Sequence, residues 1–238
     1  LNRALHGIYT PGSIIKVLVA MALLENGVDP THKVNCTGRA EIGSGGIRCA
    51  ARNGHGELDL ITSLERSCNV YFIEEGCQIG RAAIAEVFRS AGIGNPTGFE
   101  LSDRSGLAPS VEYKRRYYRS DWNKFDTAQI SIGQGILLIT PLQAAVYTAA
   151  IANGGKMMRP YVADRLVNQR GGTVWSHTPE ETGRLAVSAK NLAIVKQGMF
   201  QVVNAPDGSG KRAKNDAITL YGLSLIHISE PTRQEAIS

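Results

Sequence analysis

Between Ser13 and Asn26 the chain reads Ser-Ile-Ile-Lys-Val-Leu-Val-Ala-Met-Ala-Leu-Leu-Glu-Asn, a stretch that is apolar on nearly every side when wound as a helix. A helix without a polar face must be wrapped by the rest of the chain, so this segment dictates a buried central helix. Its uninterrupted apolar part, Val17 to Leu24, is far shorter than the ~20 residues that cross a bilayer. Pro11-Gly12 stands just ahead of the helix, and Gly27 occupies the position of a C-terminal capping glycine. The 238 residues can supply the wrapping: 43% are hydrophobic and 20% charged, a globular balance that excludes a disordered or collagen-like chain.

The remaining punctuation predicts loops with one short hairpin over Asp29 to Glu57, then helices over Asp59–Ser67, Val70–Gly76 and Arg81–Ala91, the last stopped by Gly92. Thr97 to Tyr118 reads as an irregular surface region. A helix over Pro141–Asn153 starts on a proline and ends at Gly154-Gly155, and Ser188 caps a helix to Val203. Tyr161–Leu166 and Gly172–Trp175 read as strands, so the fold class is α+β with no internal repeat. The last sixteen residues, Leu223 to Ser238, break all of these patterns and resemble the translation of a DNA-sequencing adapter. The expected division is therefore a domain over 1–222 and a non-native tail over 223–238.

Ser13 and Lys16 lie three apart at the start of the apolar helix, which puts both side chains on one face. A serine hydroxyl needs a base to become a nucleophile, and a lysine amine among Ile14, Ile15, Val17 and Val19 is pushed by desolvation toward its neutral, basic form. The helix N-terminus favours an oxyanion formed beside Ser13. Ser67-Cys68-Asn69, between two predicted helices, offers a further hydroxyl and a carboxamide. S-x-x-K followed by S-x-N is the order found in serine β-lactamases and penicillin-binding proteins.

Several segments in the right order resemble the transpeptidase domain of the class B penicillin-binding proteins, most closely the elongation type. They are Asn2-Arg3-Ala4 ahead of Pro11-Gly12-Ser13, then His55-Gly56, then Ser67 through Phe72, and Ser131 through Gly135 running into Thr140-Pro141-Leu142-Gln143. The resemblance implies a penicillin-binding protein and serine β-lactamase-like transpeptidase fold. It makes Ser13 the acylated nucleophile, Lys16 its base, and Ser67 and Asn69 the second motif, with Gly133, Gln134 and Gly135 at the substrate. It also implies a third motif, K-T-G, which does not occur in the chain; truncation at Gly222, with loss of the inner strand that carries it, is the expectation. The implied reaction is acyl transfer on the D-Ala-D-Ala end of a peptidoglycan stem peptide, blocked by β-lactam antibiotics. A β-lactam hydrolase and a catalytically silent β-lactam sensor are the alternatives.

Cys36, Cys49, His55 and Cys68 are donors of the kinds zinc takes, although not at zinc-finger spacing. In order and spacing they resemble a zinc centre beside the active site of some elongation-type enzymes, where carboxylates fill two of the places. The competing reading is a Cys36–Cys49 disulfide. The implied chemistry needs no cofactor, and any zinc is structural. The formal net charge of +5 is too dilute for a nucleic-acid binder, and Lys114 to Arg119 reads as a solvated loop. The implied partners are a cell-wall glycosyltransferase and elongation-complex proteins. The implied location is the periplasmic face of the bacterial inner membrane, reached through an N-terminal anchor outside this chain.

Overall fold

The computed structural model describes residues 2–223, so the expected tail lies, except for Leu223, outside the described residues. The chain opens with the short helix α1 (Arg3–His6). A 3-10 turn, Gly12–Ile15, leads directly into α2 (Lys16–Glu25), in which every residue from Lys16 to Leu24 is buried. The expected central helix is present, with its first turn wound more tightly than an α-helix. That turn brings the side chains at positions i and i+3 nearly into line.

The expected single hairpin is two antiparallel pairs, one nested within the other. β1 (Val34–Cys36) pairs with β4 (Gly56–Leu58), and between them β2 (Arg39–Ile42) pairs with β3 (Gly45–Arg48). Each is only three or four residues long, too short for alternation to show in the sequence. Asp59 then caps α3 (Leu60–Glu65) through a reciprocal capping box with Thr62. α4 (Asn69–Ser90) joins the two expected helices Val70–Gly76 and Arg81–Ala91, and the gap between them corresponds to a break at Gly80, whose φ is 80°.

The region after α4 is irregular as expected, except that α5 (Val111–Tyr113) and a π-helical turn, Lys114–Tyr118, form within it. α6 (Lys124–Ser131) carries no strong periodic signal, and α7 (Pro141–Ala152) begins on its proline with Thr140 as cap. β5 (Lys156–Met158) pairs with β8 (Glu181–Arg184), and β6 (Arg165–Val167) with β7 (Thr173–Ser176). α8 (Ala189–Asn204) is capped by Ser188, as its sequence indicates.

The core is helical. α2 packs against α4, α8 and α3, while α3 packs on α8 and α4 on α6. Ile15 and the side chains from Val17 through Leu24 join Tyr71, Phe72, Phe88 and Tyr147 in one continuous cluster. α2 and α4 both have their N-termini at the same place, and that place holds the candidate chemistry.

Candidate active site

Ser13 sits within the 3-10 turn, and the Lys16 backbone N–H closes that turn on the Ser13 carbonyl. Lys16 is 1% exposed, one of the largest fully buried side chains of the chain. Its Nζ donates to Ser67 O at 2.7 Å, Ser67 Oγ at 3.1 Å and Asn69 Oδ1 at 2.8 Å, which uses all three hydrogens of an ammonium. The Phe72 ring centroid lies 5.7 Å from the same nitrogen. Burial lowers the Lys16 pKa from 10.5 to about 8, with Cys68 and Cys49 pulling it part of the way back. A primary amine that titrates near neutrality beside a hydroxyl can act as its base.

Ser67 reaches Lys16 because the backbone between α3 and α4 turns through a left-handed residue. The φ of Ser67 is 53°, a conformation that costs a non-glycine residue about 1–2 kcal/mol. The turn is locked on both sides, by Ser67 N–H to Leu64 O at 3.1 Å and Cys68 N–H to Ser63 O at 2.9 Å. Asn69, the first residue of α4, turns its carboxamide inward. Its oxygen accepts from Lys16, and its Nδ2 donates to Arg48 O at 3.0 Å. Sequence reasoning had no access to Arg48, because its contribution is a backbone carbonyl.

Gly133 is buried, Gln134 half-buried and Gly135 exposed. Gly133 lies backbone to backbone against the nucleophile's turn: Gly12 N–H donates to Gly133 O at 2.9 Å, and a Cβ on Gly133 would meet Gly12 O at 2.1 Å. With a φ of 75°, only glycine fits there without strain. The loop that ends α6 thus sets the position of Ser13. From the far side, Tyr147 Oη of α7 donates to Ile14 O at 3.4 Å. Neither contact carries a signal readable in the sequence.

The four soft donors converge. Cys36 ends β1, Cys49 follows β3, His55 precedes β4 and Cys68 precedes Asn69, and their donor atoms all lie within 4.8 Å of one another. His55 Nδ1 stands 3.6 Å from Cys36 Sγ and 3.5 Å from Cys49 Sγ, and Cys49 Sγ stands 3.9 Å from Cys68 Sγ. A tetrahedral zinc site with Zn–S of about 2.3 Å and Zn–N of about 2.05 Å has edges of about 3.6 Å between S and N and about 3.8 Å between sulfurs. The donor set therefore fits zinc in both chemistry and spacing. All four cysteines, the half-buried Cys77 included, are free thiols. The hydrogen bond shared by Cys49 and Cys68 drives the Cys49 thiol pKa far down, helped by His55, and drives that of Cys68 far up. The cluster is wired to the site, since Asn69 N–H donates to Cys49 Sγ at 3.3 Å.

Comparison with known proteins agrees with this geometry. The family model described as the penicillin binding protein transpeptidase domain matches residues 1–222. A peptidoglycan D,D-transpeptidase MrdA of Salmonella typhimurium is 31% identical over 223 residues, covering 88% of this chain and 34% of the relative. Its Acinetobacter baumannii counterpart is 33% identical over 215 residues, covering 89% and 32%. Among solved structures, penicillin-binding protein PBP2 of Helicobacter pylori in complex with MreC superposes with a TM-score of 0.81 at 30% identity, over 93% of this chain and 40% of that one. Pseudomonas aeruginosa PBP2 in complex with WCK 5153 does so with a TM-score of 0.79 at 31% identity, over 89% and 48%. The chain spans about a third of the length of the curated relatives it matches. A family match over residues 1–222, together with a buried lysine joining the S-x-x-K turn to the S-x-N loop, places the chain in the penicillin-binding protein transpeptidase domain family.

Proposed function

We propose that the chain is the acyl-transfer domain of a peptidoglycan D,D-transpeptidase, with Ser13 as nucleophile, Lys16 as base, and Ser67 and Asn69 as the groups that hold Lys16 and relay its proton. The observation that carries this reading is the contact of Lys16 Nζ with Ser67 Oγ and Asn69 Oδ1, three residues along the chain from Ser13. Neutral Lys16 takes the Ser13 hydroxyl proton as Oγ attacks the carbonyl carbon of the penultimate D-alanine. The tetrahedral oxyanion forms beside the N-terminus of α2, where the helix dipole favours it. Its collapse breaks the peptide bond. The departing D-alanine amine takes up the proton through the Ser67 hydroxyl, leaving an acyl ester on Ser13. An amine from a neighbouring strand then attacks the ester and passes its proton through the same relay to the departing Ser13 Oγ, which restores the hydroxyl and leaves the cross-link.

Among the described residues, the acceptors around Lys16 Nζ are oxygens of Ser67 and Asn69. Catalysis in this family needs no cofactor. Zinc held by Cys36, Cys49, His55 and Cys68 would supply a structural clasp between the nested strand pairs and the N-terminus of α4. The same reading gives the domain an elongation-type role, with a glycosyltransferase and elongation-complex proteins as partners at the periplasmic face of the inner membrane; structures of a similar protein in complex with MreC and of a peptidoglycan synthase complex are consistent with such partners. No helix among the described residues is long and apolar enough to cross a membrane. The test is labelling of the domain in its full-length parent with a fluorescent penicillin, followed by peptide mass mapping. The expected result is one adduct, on Ser13, that is lost in Ser13→Ala; an adduct that persists in that variant overturns the assignment.

A further inference from the structure

The register of β2 on β3 sets Arg39 directly opposite Arg48. Like charges that face each other across a strand pair are destabilising, so this arrangement calls for an anion. Glu41, two residues along β2, meets one of the two: its Oε1 accepts from Arg39 Nε at 2.8 Å. The side chains of Arg48 and Arg52 form no ion pair and no hydrogen bond among the described residues. Arg39, Arg48 and Arg52 nonetheless line one cavity of about 410 Å³, together with Thr37, Gly38 and Cys49. One carboxylate thus answers three guanidinium groups. The backbone beneath them is fixed, since Cys49 N–H donates to Gly38 O at 2.8 Å and a Cβ on Gly38 would stand 2.3 Å from Arg52 O. The other basic stretch, Lys114 to Arg119, is less open than its composition suggests: Lys114 is buried against Asp126, and Arg115 is spent on Asp121 at 2.7 Å.

The place of the cavity says which anion it meets. Arg48 O accepts from Asn69 Nδ2 at 3.0 Å, and Asn69 Oδ1 accepts from Lys16, so the cavity wall begins at a residue in direct contact with the second motif. We propose that Arg48 and Arg52, with Arg39 as third member, form a subsite for a free carboxylate of the stem peptide, upstream of the D-Ala-D-Ala bond. The proposal rests on the reading of the domain as a peptidoglycan transpeptidase and adds to it a choice among stem peptides. Two upstream residues bear such a group. A γ-linked glutamate keeps its α-carboxylate out of the chain, and a diamino diacid at the third position keeps its side-chain carboxylate, so both remain free in a donor stem. A guanidinium grips either through two parallel hydrogen bonds.

The experiment measures acylation of the full-length parent by two penicillins that differ only at the end of the acyl side chain, a carboxylate in one and a carboxamide in the other. That side chain takes the place of the upstream peptide. The carboxylate form should acylate Ser13 about tenfold faster at low drug concentration, and the preference should shrink as salt is added. In Arg48→Gln and in Arg52→Gln the ratio of the two rates should fall toward one, and Arg52→Lys should keep part of it. Glu41→Gln, which releases Arg39, should raise it. Because the readout is a ratio, a variant that loses folded protein still gives an answer. A ratio of one in the wild type, or a ratio unchanged in both glutamine variants, overturns the proposal and leaves the transpeptidase reading intact; no acylation by either penicillin overturns both. Competition by soluble pentapeptides then separates the two sources. Lysine in place of the diamino diacid removes one carboxylate, and isoglutamine in place of glutamate removes the other. The replacement that weakens competition identifies the group, and equal competition by all three peptides overturns the proposal.

Discussion

A lysine buried in a hydrophobic cluster is an expensive way to supply a base, and Lys16 is kept there by three oxygens of the second motif. With its pKa near 8, about one molecule in ten carries neutral Lys16 at pH 7. Penicillin acylation of Ser13 should therefore rise about tenfold between pH 7 and pH 9 and then level off, as stopped-flow labelling across that range would show. Lys16→Ala should slow acylation by about three orders of magnitude and abolish the pH dependence. The stability effect follows from the same shift. The folded-state pKa lies below the unfolded value of 10.5, so burial of the charge destabilises fully below about pH 8, and this penalty fades as pH rises from 8 to 10.5. At Ser67 strain and chemistry separate. Ser67→Gly and Ser67→Ala should both slow acylation, but the glycine variant should be more stable than the alanine variant by about 1 kcal/mol in chemical denaturation, because φ is 53°.

Elements hold these residues in register through close backbone approach and through the thiol cluster. Gly133→Ala should cut acylation at least tenfold, because its methyl group would displace Gly12 and with it Ser13. Gly154→Ala is the control: the φ there is 85° but the space around it is open, so about 1 kcal/mol of stability should be lost with no change in labelling. Elemental analysis should find about one zinc per chain, and Cys49→Ser and His55→Ala should lower the melting temperature and slow labelling together. Absence of metal combined with a tryptic peptide pair joined through Cys36 and Cys49 would establish the disulfide instead. Part of this was legible in the sequence. α2, α7 and α8 declare themselves by a continuous apolar run, a proline start and a serine cap, all of which are local signals. The short strands escape because pairing across a turn, not composition, creates them, and α6 escapes because its eight residues show no apolar stripe. Ser13 and Lys16 were legible because one turn holds both. The roles of Gly133 and of the Arg48 carbonyl were not, because backbone contacts between distant segments leave no mark on residue type.

Across the whole molecule, cohesion resides in the helical cluster, while β6 and β7 are exposed at every position. Native-state hydrogen exchange should be slowest over α2 and fastest over the β6–β7 hairpin. Limited proteolysis should cut first between 168 and 172, where the turn that joins the hairpin is exposed. The four candidate catalytic side chains belong to the opposite regime: Ser13, Lys16, Ser67 and Asn69 are 3%, 1%, 4% and 2% exposed. They are as interior as the leucines around them. This burial constrains how such an enzyme can escape a β-lactam. A substitution that moves the nucleophile enough to hinder the drug also disturbs the packing around α2, and loss of a few kcal/mol is enough to unfold a protein of ordinary stability. Tolerable resistance changes should therefore accumulate on exposed loops around the site, where a drug and a peptide can be told apart without loosening the core.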